Sequence, residues 1–230
     1  MRYDGAVVAG GVPIKLNFID NLYVDAQPIW EQVGEGKTFA PLNPAEIFNN
    51  SNPLLVEIGI GNGEFVAYNA CRDTSFNWLG IEAFRPIFVK AVARCKKISH
   101  DNIRLVQFDA ELFVRLLPEG SVGTFYINFP DPWPKQRHHK RRLLKSWFLE
   151  LLAMHLADGG SIIVATDHED YAMELVENFA AVSTLESVLE QGGVRVPYIN
   201  EIVEHYQTKY YRKFALNGRL YYFNMRLKSK

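Results

Sequence analysis

The chain has 230 residues, 48% apolar and 22% charged, with a formal net charge of −1. That length can bury a sizeable core, and one α/β domain is the leading expectation. No apolar run approaches the roughly 18 residues of a membrane span, the N-terminus lacks the pattern of a signal peptide, and only Cys71 and Cys95 occur, without metal-ligand or redox spacing. The two cysteines are expected to be buried thiols in a reducing, cytoplasmic setting. No metal is expected, and thiol catalysis falls away with it.

Residues 1–50 carry six acids and three bases and are punctuated by Pro28, Pro41 and Pro44. Within them Ile14–Ile19 alternates like a short strand. We read 1–45 as an N-terminal arm and 46–230 as the main domain. From Leu54 the pattern becomes regular. A buried-strand run over 54–60 precedes a helix over 64–72. Strand 76–82 precedes a helical window from Phe84 to about Ser99. Strand 102–109 precedes a helix over 110–117, and a fourth strand covers 121–129. Beyond a proline-rich loop, apolar spacing predicts a helix over 141–156, ended by Asp158-Gly159-Gly160. A fifth strand over 161–167 and a helix over 169–182 follow. Strands alternating with helices imply a doubly wound, mostly parallel sheet with right-handed crossovers. The segment 218–228 alternates like an edge strand.

Acids recur at the carboxyl ends of these strands, where open α/β sheets bind ligands. The first strand and its turn read Glu57-Ile58-Gly59-Ile60-Gly61-Asn62-Gly63. Gly59, Gly61 and Gly63 let backbone approach a ligand closely. The spacing GxGxG, with a glutamate two positions earlier, departs from the dinucleotide pattern GxGxxG. A carboxylate there is awkward beside a pyrophosphate and useful beside a cation. S-adenosylmethionine carries a sulfonium and an ammonium and no phosphate. Glu82 ends the second strand at the right distance for ribose hydroxyls, and Asp109 ends the third, where a carboxylate could accept from an adenine amino group. Acids capping the helices after each strand would explain any one of these, but an acid inside an apolar strand, as Glu57 is, needs a further reason.

The stretch 127–145 concentrates the remaining chemistry. Pro130, Pro132 and Pro134 fix φ and remove donors around Asp131 and Trp133. Six bases follow (Lys135, Arg137, Lys140, Arg141, Arg142, Lys145) with His138, His139 and no acid. A second acid-free cluster of seven bases lies within 205–230. Local clusters of this kind, rather than net charge, bind phosphates, although a solvated face is the plain alternative. Trp133 suits stacking on a base or packing at the sheet edge. Asp167 suits accepting hydrogen bonds from a bound base or capping the next helix.

The strings ExGxGxG, GIE (80–82), FPDPWPKQRHHKRR (129–142), ATD (165–167) and the Thr208 segment, in that order, resemble the tRNA (guanine-N7-)-methyltransferase family over about residues 46–228. The resemblance implies a Rossmann-like class I fold, S-adenosylmethionine as methyl donor, and methylation of N7 of a guanine in the variable loop of tRNA by a monomer or homodimer. It implies that Glu57, Gly59, Gly61, Gly63, Glu82, Asp109 and Asp131 line the cofactor pocket, with Asp131 catalytic. Lys135, Asp167, Thr208, Lys209, Tyr210 and Tyr211 would contact the substrate. Arg137, His138, His139, Lys140, Arg141 and Arg142 would hold RNA. One position departs from the family: Tyr211 stands where a glutamate is common. Guanine N7 has a free lone pair, so its methylation removes no proton. Asp131 is therefore expected to position and to stabilise charge rather than to act as a base.

Overall fold

A computed structural model describes residues 11–14, 16–25, 39–98, 101–201, 208–214 and 220–229. The chain divides into two compact units, up to Ser121 and from Val122.

The first unit is built on four parallel strands: β1 (Tyr23–Asp25), β2 (Leu54–Ile58), β3 (Asn77–Glu82) and β4 (Ile103–Gln107). Their spatial order is β1, β4, β3, β2. All five residues of β2 are buried, the continuous apolar pattern of a parallel strand covered on both faces. The intervening helices are α1 (Pro44–Phe48), α2 (Glu64–Arg72), α3 (Arg85–Cys95) and α4 (Ala110–Leu116). Gly80 is dictated by packing, because a Cβ there would lie 2.9 Å from both Ile60 Cγ2 and Leu105 Cδ2. The turn after β2 therefore folds back onto β3.

Two buried polar side chains tie the unit's base together. Asn102 Nδ2 donates to the carbonyls of Ala70, Asp73 and Phe76. The Arg104 guanidinium, 1% exposed, donates to the carbonyls of Ile47, Asp101 and Ile103. Burial lowers the pKa of Arg104, and its charge is spent on carbonyl dipoles and on the ring of Phe48 at 5.2 Å.

In the second unit β5 (Val122–Asn128) pairs in parallel with β6 (Leu156–Thr166). A 3-10 turn (Gln136–Arg141) and α5 (Ser146–His155) connect them. Helix α6 (Glu169–Ala180) leads to β7 (Leu185–Ser187) and to the hairpin β8 (Glu190–Gln191) and β9 (Val194–Arg195). Gly192 and Gly193, both at positive φ, make the two-residue turn that such hairpins need. Helix α7 (Lys209–Phe214) and β10 (Tyr221–Leu227) complete the described chain.

Several expectations change. Residue 14 and residues 16–18 form no strand; extended pairing lies on either side, at Val12, which bridges to Phe39, and in β1, beyond Ile19. The helix expected from 141 begins at Ser146, since Gln136–Arg141 takes the tighter 3-10 form. Asp158-Gly159-Gly160 does not stop that helix. It lies within β6, where the register with β5 slips between Val122 and Thr124 and a Cβ at Gly160 would lie 2.9 Å from the Gly123 carbonyl oxygen. The segment read as an edge strand is internal: β10 runs antiparallel to β6 on one side and to β7 on the other, and Tyr222, Phe223 and Met225 are buried. Cys95 is buried but Cys71 is exposed on α2. Burial, reinforced by the charge of Glu57, pushes the Cys95 thiol up to about 12, so it stays protonated. The call of a strand start at Gly218 lies outside the described residues.

Asn102→Ala would strand three carbonyls at once. The expected loss is on the order of 2 kcal/mol of unfolding free energy, read from the urea midpoint at unchanged slope.

Candidate active site

In the first unit the glycine turn has the geometry its spacing predicts. Gly59, Gly61 and Gly63 all have positive φ (75°, 52° and 74°), which a side chain would strain. They differ in what surrounds them. A Cβ on Gly59 or Gly61 would meet nothing within 4 Å, so the turn borders open space; one on Gly63 would lie 3.0 Å from Ala91 Cβ. Gly63 thus serves the close packing of α2 on α3, while the first two leave room above the backbone. Glu82 is locked to this turn. One of its oxygens accepts from Gly61 N at 3.1 Å and the other from Phe84 N at 2.8 Å. Glu57 is buried at 2% exposure in β2. Asp109 caps α4, its Oδ1 accepting from Leu112 N at 3.1 Å. The capping alternative for Asp109 therefore holds, and its second oxygen is left for another partner.

The carboxylates and the glycine turn fit S-adenosylmethionine. The space over Gly59 and Gly61 admits a ligand against bare backbone. Glu82 holds that backbone through Gly61 N, which suits a cationic sulfonium and ammonium better than a pyrophosphate, and Arg94 Nε braces the same turn by donating to the Asn62 carbonyl at 3.0 Å.

In the second unit the proline loop leaves β5 through two left-handed residues. Phe129 (φ 52°) and Trp133 (φ 44°) bracket Pro130-Asp131-Pro132. Non-glycine residues in this region cost about 1–2 kcal/mol each, so surrounding contacts must hold them. Phe129 N donates to Ala165 O at 2.7 Å. The Pro132 carbonyl accepts from Arg142 Nε at 2.8 Å. Arg141 lies over the Trp133 ring at 4.9 Å, and His138 meets its edge at 5.9 Å. Trp133 is therefore wedged by its own loop, with one face already taken by a guanidinium. Asp131 itself is exposed.

Asp167 follows β6 directly. It does not cap α6; His168 does, its Nδ1 accepting from Tyr171 N. Asp167 instead accepts a hydrogen bond from the Tyr210 hydroxyl, and the charges of Asp167 and Asp131 both act on that phenol. Partial burial first, then those two carboxylates, raises the Tyr210 pKa. The Tyr210 ring packs on Phe129 with centroids 4.8 Å apart. Asp167 thus meets Tyr210 through a hydrogen bond, and the charge of Asp131 reaches the same phenol. Thr208 caps α7, its Oγ1 accepting from Tyr211 N at 3.2 Å. Tyr211 packs against Ala165, Leu220 and Tyr222, so the position that departs from the family pattern here serves an apolar cluster. Lys209 is exposed on α7 and Lys135 at the foot of the 3-10 turn.

The basic run is not uniformly available to RNA. Lys135, Arg137 and Lys140 are exposed. Arg142, expected to bind phosphate, is 3% exposed. Its NH1 donates to Glu174 at 2.5 Å and its NH2 to Asp170 at 2.5 Å. Its guanidinium covers the Tyr171 ring at 4.9 Å. His139 is half-buried in the same group, with Nε2 at 3.1 Å from Arg142 and 3.5 Å from Asp170. Lys145 pairs with Glu174 as well. Burial works against the Arg142 charge, but the hydrogen bonds to Asp170 and Glu174 outweigh it and raise its pKa. Asp170 and Glu174 are the residues that reading along the sequence overlooked. The available signal was two acids four apart on one helix face, following an acid-free basic run.

Among the described residues no group of three or more His, Cys, Asp and Glu could hold a metal, and no helix is long and apolar enough to cross a membrane.

Comparison with known proteins assigns the chain to a family. A model described as "Putative methyltransferase" matches residues 51–223. The tRNA (guanine-N(7)-)-methyltransferase of Geobacter metallireducens is 35% identical over 184 residues, 80% of this chain and 85% of that protein. The chain belongs to the tRNA (guanine-N7-)-methyltransferase family. The enzyme of the same name from Aliivibrio fischeri is 36% identical over 167 residues, covering 72% of this chain and 70% of its own length. In fold the chain is similar to the aminoglycoside resistance methyltransferase NpmB1 (TM-score 0.52, 17% identity, 80% of this chain and 91% of that one). It is likewise similar to the precorrin-6y C5,15-methyltransferase of Geobacter metallireducens (TM-score 0.52, 15% identity, 77% and 81%). The fold is the Rossmann-like, mostly parallel α/β fold of class I methyltransferases.

Asp170 and Glu174 both have lowered pKa values, Asp170 through its hydrogen bond from Arg142, and Glu174 because Lys145 and Arg142 outweigh its burial. A lowered carboxylate pKa adds stability that is complete above the ordinary values of 3.8 and 4.5 and lost as pH falls through the lowered ones. Between about pH 5 and pH 3 the urea midpoint should fall less steeply in Asp170→Asn/Glu174→Gln than in the parent protein.

Proposed function

We propose that the protein transfers a methyl group from S-adenosylmethionine to N7 of a guanine in the variable loop of tRNA. The observation that carries this reading is membership of the tRNA (guanine-N7-)-methyltransferase family, shown by 35% identity over 184 residues to the Geobacter metallireducens enzyme of that name. The placement of Asp131, Asp167 and Tyr210 together supports it. A tRNA substrate also agrees with the cytoplasmic setting read from the sequence, and monomer or homodimer remains the expected assembly.

S-adenosylmethionine, when bound, supplies an electrophilic methyl on a sulfonium. The chain's own residues would do the rest. Gly59, Gly61 and Gly63 would give the cofactor a side-chain-free backbone surface, and Glu57 would supply negative charge for its cationic end. Glu82, already fixed by Gly61 N and Phe84 N, would accept from ribose hydroxyls. Asp109 would accept from the adenine amino group with the oxygen that does not cap α4.

On the acceptor side, Asp167 would accept the N1–H and amino protons of guanine, a pattern adenine cannot offer. Tyr210, hydrogen-bonded to Asp167, would orient that carboxylate. Asp131 would stabilise the positive charge that spreads into the purine as N7 is alkylated. No base is needed, because N7 carries no proton. Thr208 would act by starting α7 and so presenting Lys209 and Tyr210. Lys135, Arg137, Lys140 and Arg141 would meet tRNA phosphates, with His138 and His139 near them. Arg142 is withdrawn from that set by its burial and its two carboxylate partners.

The deciding experiment incubates the protein with labelled S-adenosylmethionine and unmodified tRNA and maps the label. Label at guanine N7 in the variable loop is expected; label elsewhere, or none, overturns the reading. Asp131→Ala should lower kcat by roughly a hundredfold or more at unchanged thermal midpoint. Lys140→Ala should reduce the salt dependence of tRNA binding by about one phosphate contact.

A further inference from the structure

We propose that Arg142, with Asp170 and Glu174, is a positioning residue for methyl transfer that holds Asp131 in register with Asp167. The catalytic part of this role rests on the tRNA reading above; the contacts do not. Asp131 lies between two left-handed residues, Phe129 and Trp133, so the loop would relax if released. Few of its own donors can fasten it, because Pro130, Pro132 and Pro134 have no N–H. The front of the loop is tied by Phe129 N to Ala165 O. The carbonyl next to Asp131's far side, that of Pro132, accepts from Arg142 Nε.

The Arg142 fork is fully committed to this task. Nε takes the loop, NH1 takes Glu174, and NH2 takes Asp170 and approaches His139 Nε2. The flat face of the guanidinium rests on Tyr171. Tyr171 in turn accepts from Leu144 N, just beyond Arg142. Asp170, Tyr171 and Glu174 all belong to the first turns of α6, which begins two residues after Asp167. One helix therefore carries Asp167 at its approach and anchors, through Arg142, the loop that carries Asp131. A lysine would keep the charge but could not direct three donors along a planar fork.

The test compares Arg142→Lys with Asp170→Asn/Glu174→Gln, which spares the arginine and changes one side chain that is 60% exposed. For each, kcat and KM for both substrates, the salt dependence of tRNA binding and amide exchange at Phe129, whose N–H donates to Ala165 O, are measured. Positioning predicts a kcat lower by roughly tenfold to a hundredfold. KM for both substrates and the salt slope should stay as in the parent, and exchange at the Phe129 amide should rise. The double variant should reproduce the pattern in weaker form. A reduced salt slope with unchanged kcat would make Arg142 a phosphate contact and overturn the proposal, as would a Phe129 amide that keeps its parental protection. Exchange is read without turnover, so a parent protein that failed to methylate guanine N7 would refute the tRNA reading while the loop measurement still judged the positioning role.

Discussion

The guanidinium of Arg142 is the constraint on which the proline loop around Asp131 depends. Burying an arginine is costly unless every donor is met, and here two carboxylates, a carbonyl and an aromatic face meet them. What that burial accomplishes is geometric. A proline-bounded loop with two strained residues has little of its own to hold it, and Arg142 fastens it to the helix that follows Asp167. The local strain at Phe129 and Trp133 and the network around α6 are thus two sides of one arrangement, strain at the site balanced by contacts beneath it.

The same logic divides the basic run 135–145 by role. Arg142 and Lys145 face the acids of α6, and Arg141 covers Trp133. Lys135, Arg137 and Lys140 face solvent, where a charge keeps its hydration and needs no carboxylate partner. An acid-free stretch along the chain is therefore not an acid-free surface in space.

In the first unit the glycines of one turn divide in the same way. Gly59 and Gly61 leave open space, whereas Gly63 allows α2 to approach Ala91. Glu82 closes the turn by accepting from Gly61 N, so the acid expected to bind ribose also sets the backbone that would face the cofactor. The family match spans this turn and the proline loop alike, since it covers residues 51–223.

Periodicity was enough to find the strands and helices from Leu54 to Ala180, because burial of one face or two writes a period into local sequence. The ExGxGxG turn, Glu82, Asp109 and Asp131 were legible for a related reason: their spacing along the chain is itself the signal. What spacing could not reveal was who meets whom. The partners of Arg142 lie 28 and 32 residues away. The internal position of β10 depends on pairing with β6 and β7. Whether Asp167 or His168 caps α6 turns on one dihedral and one hydrogen bond. Local sequence determined the elements and the chemical identity of the site, and only tertiary contact decided which charges are spent on holding it and which are left to act.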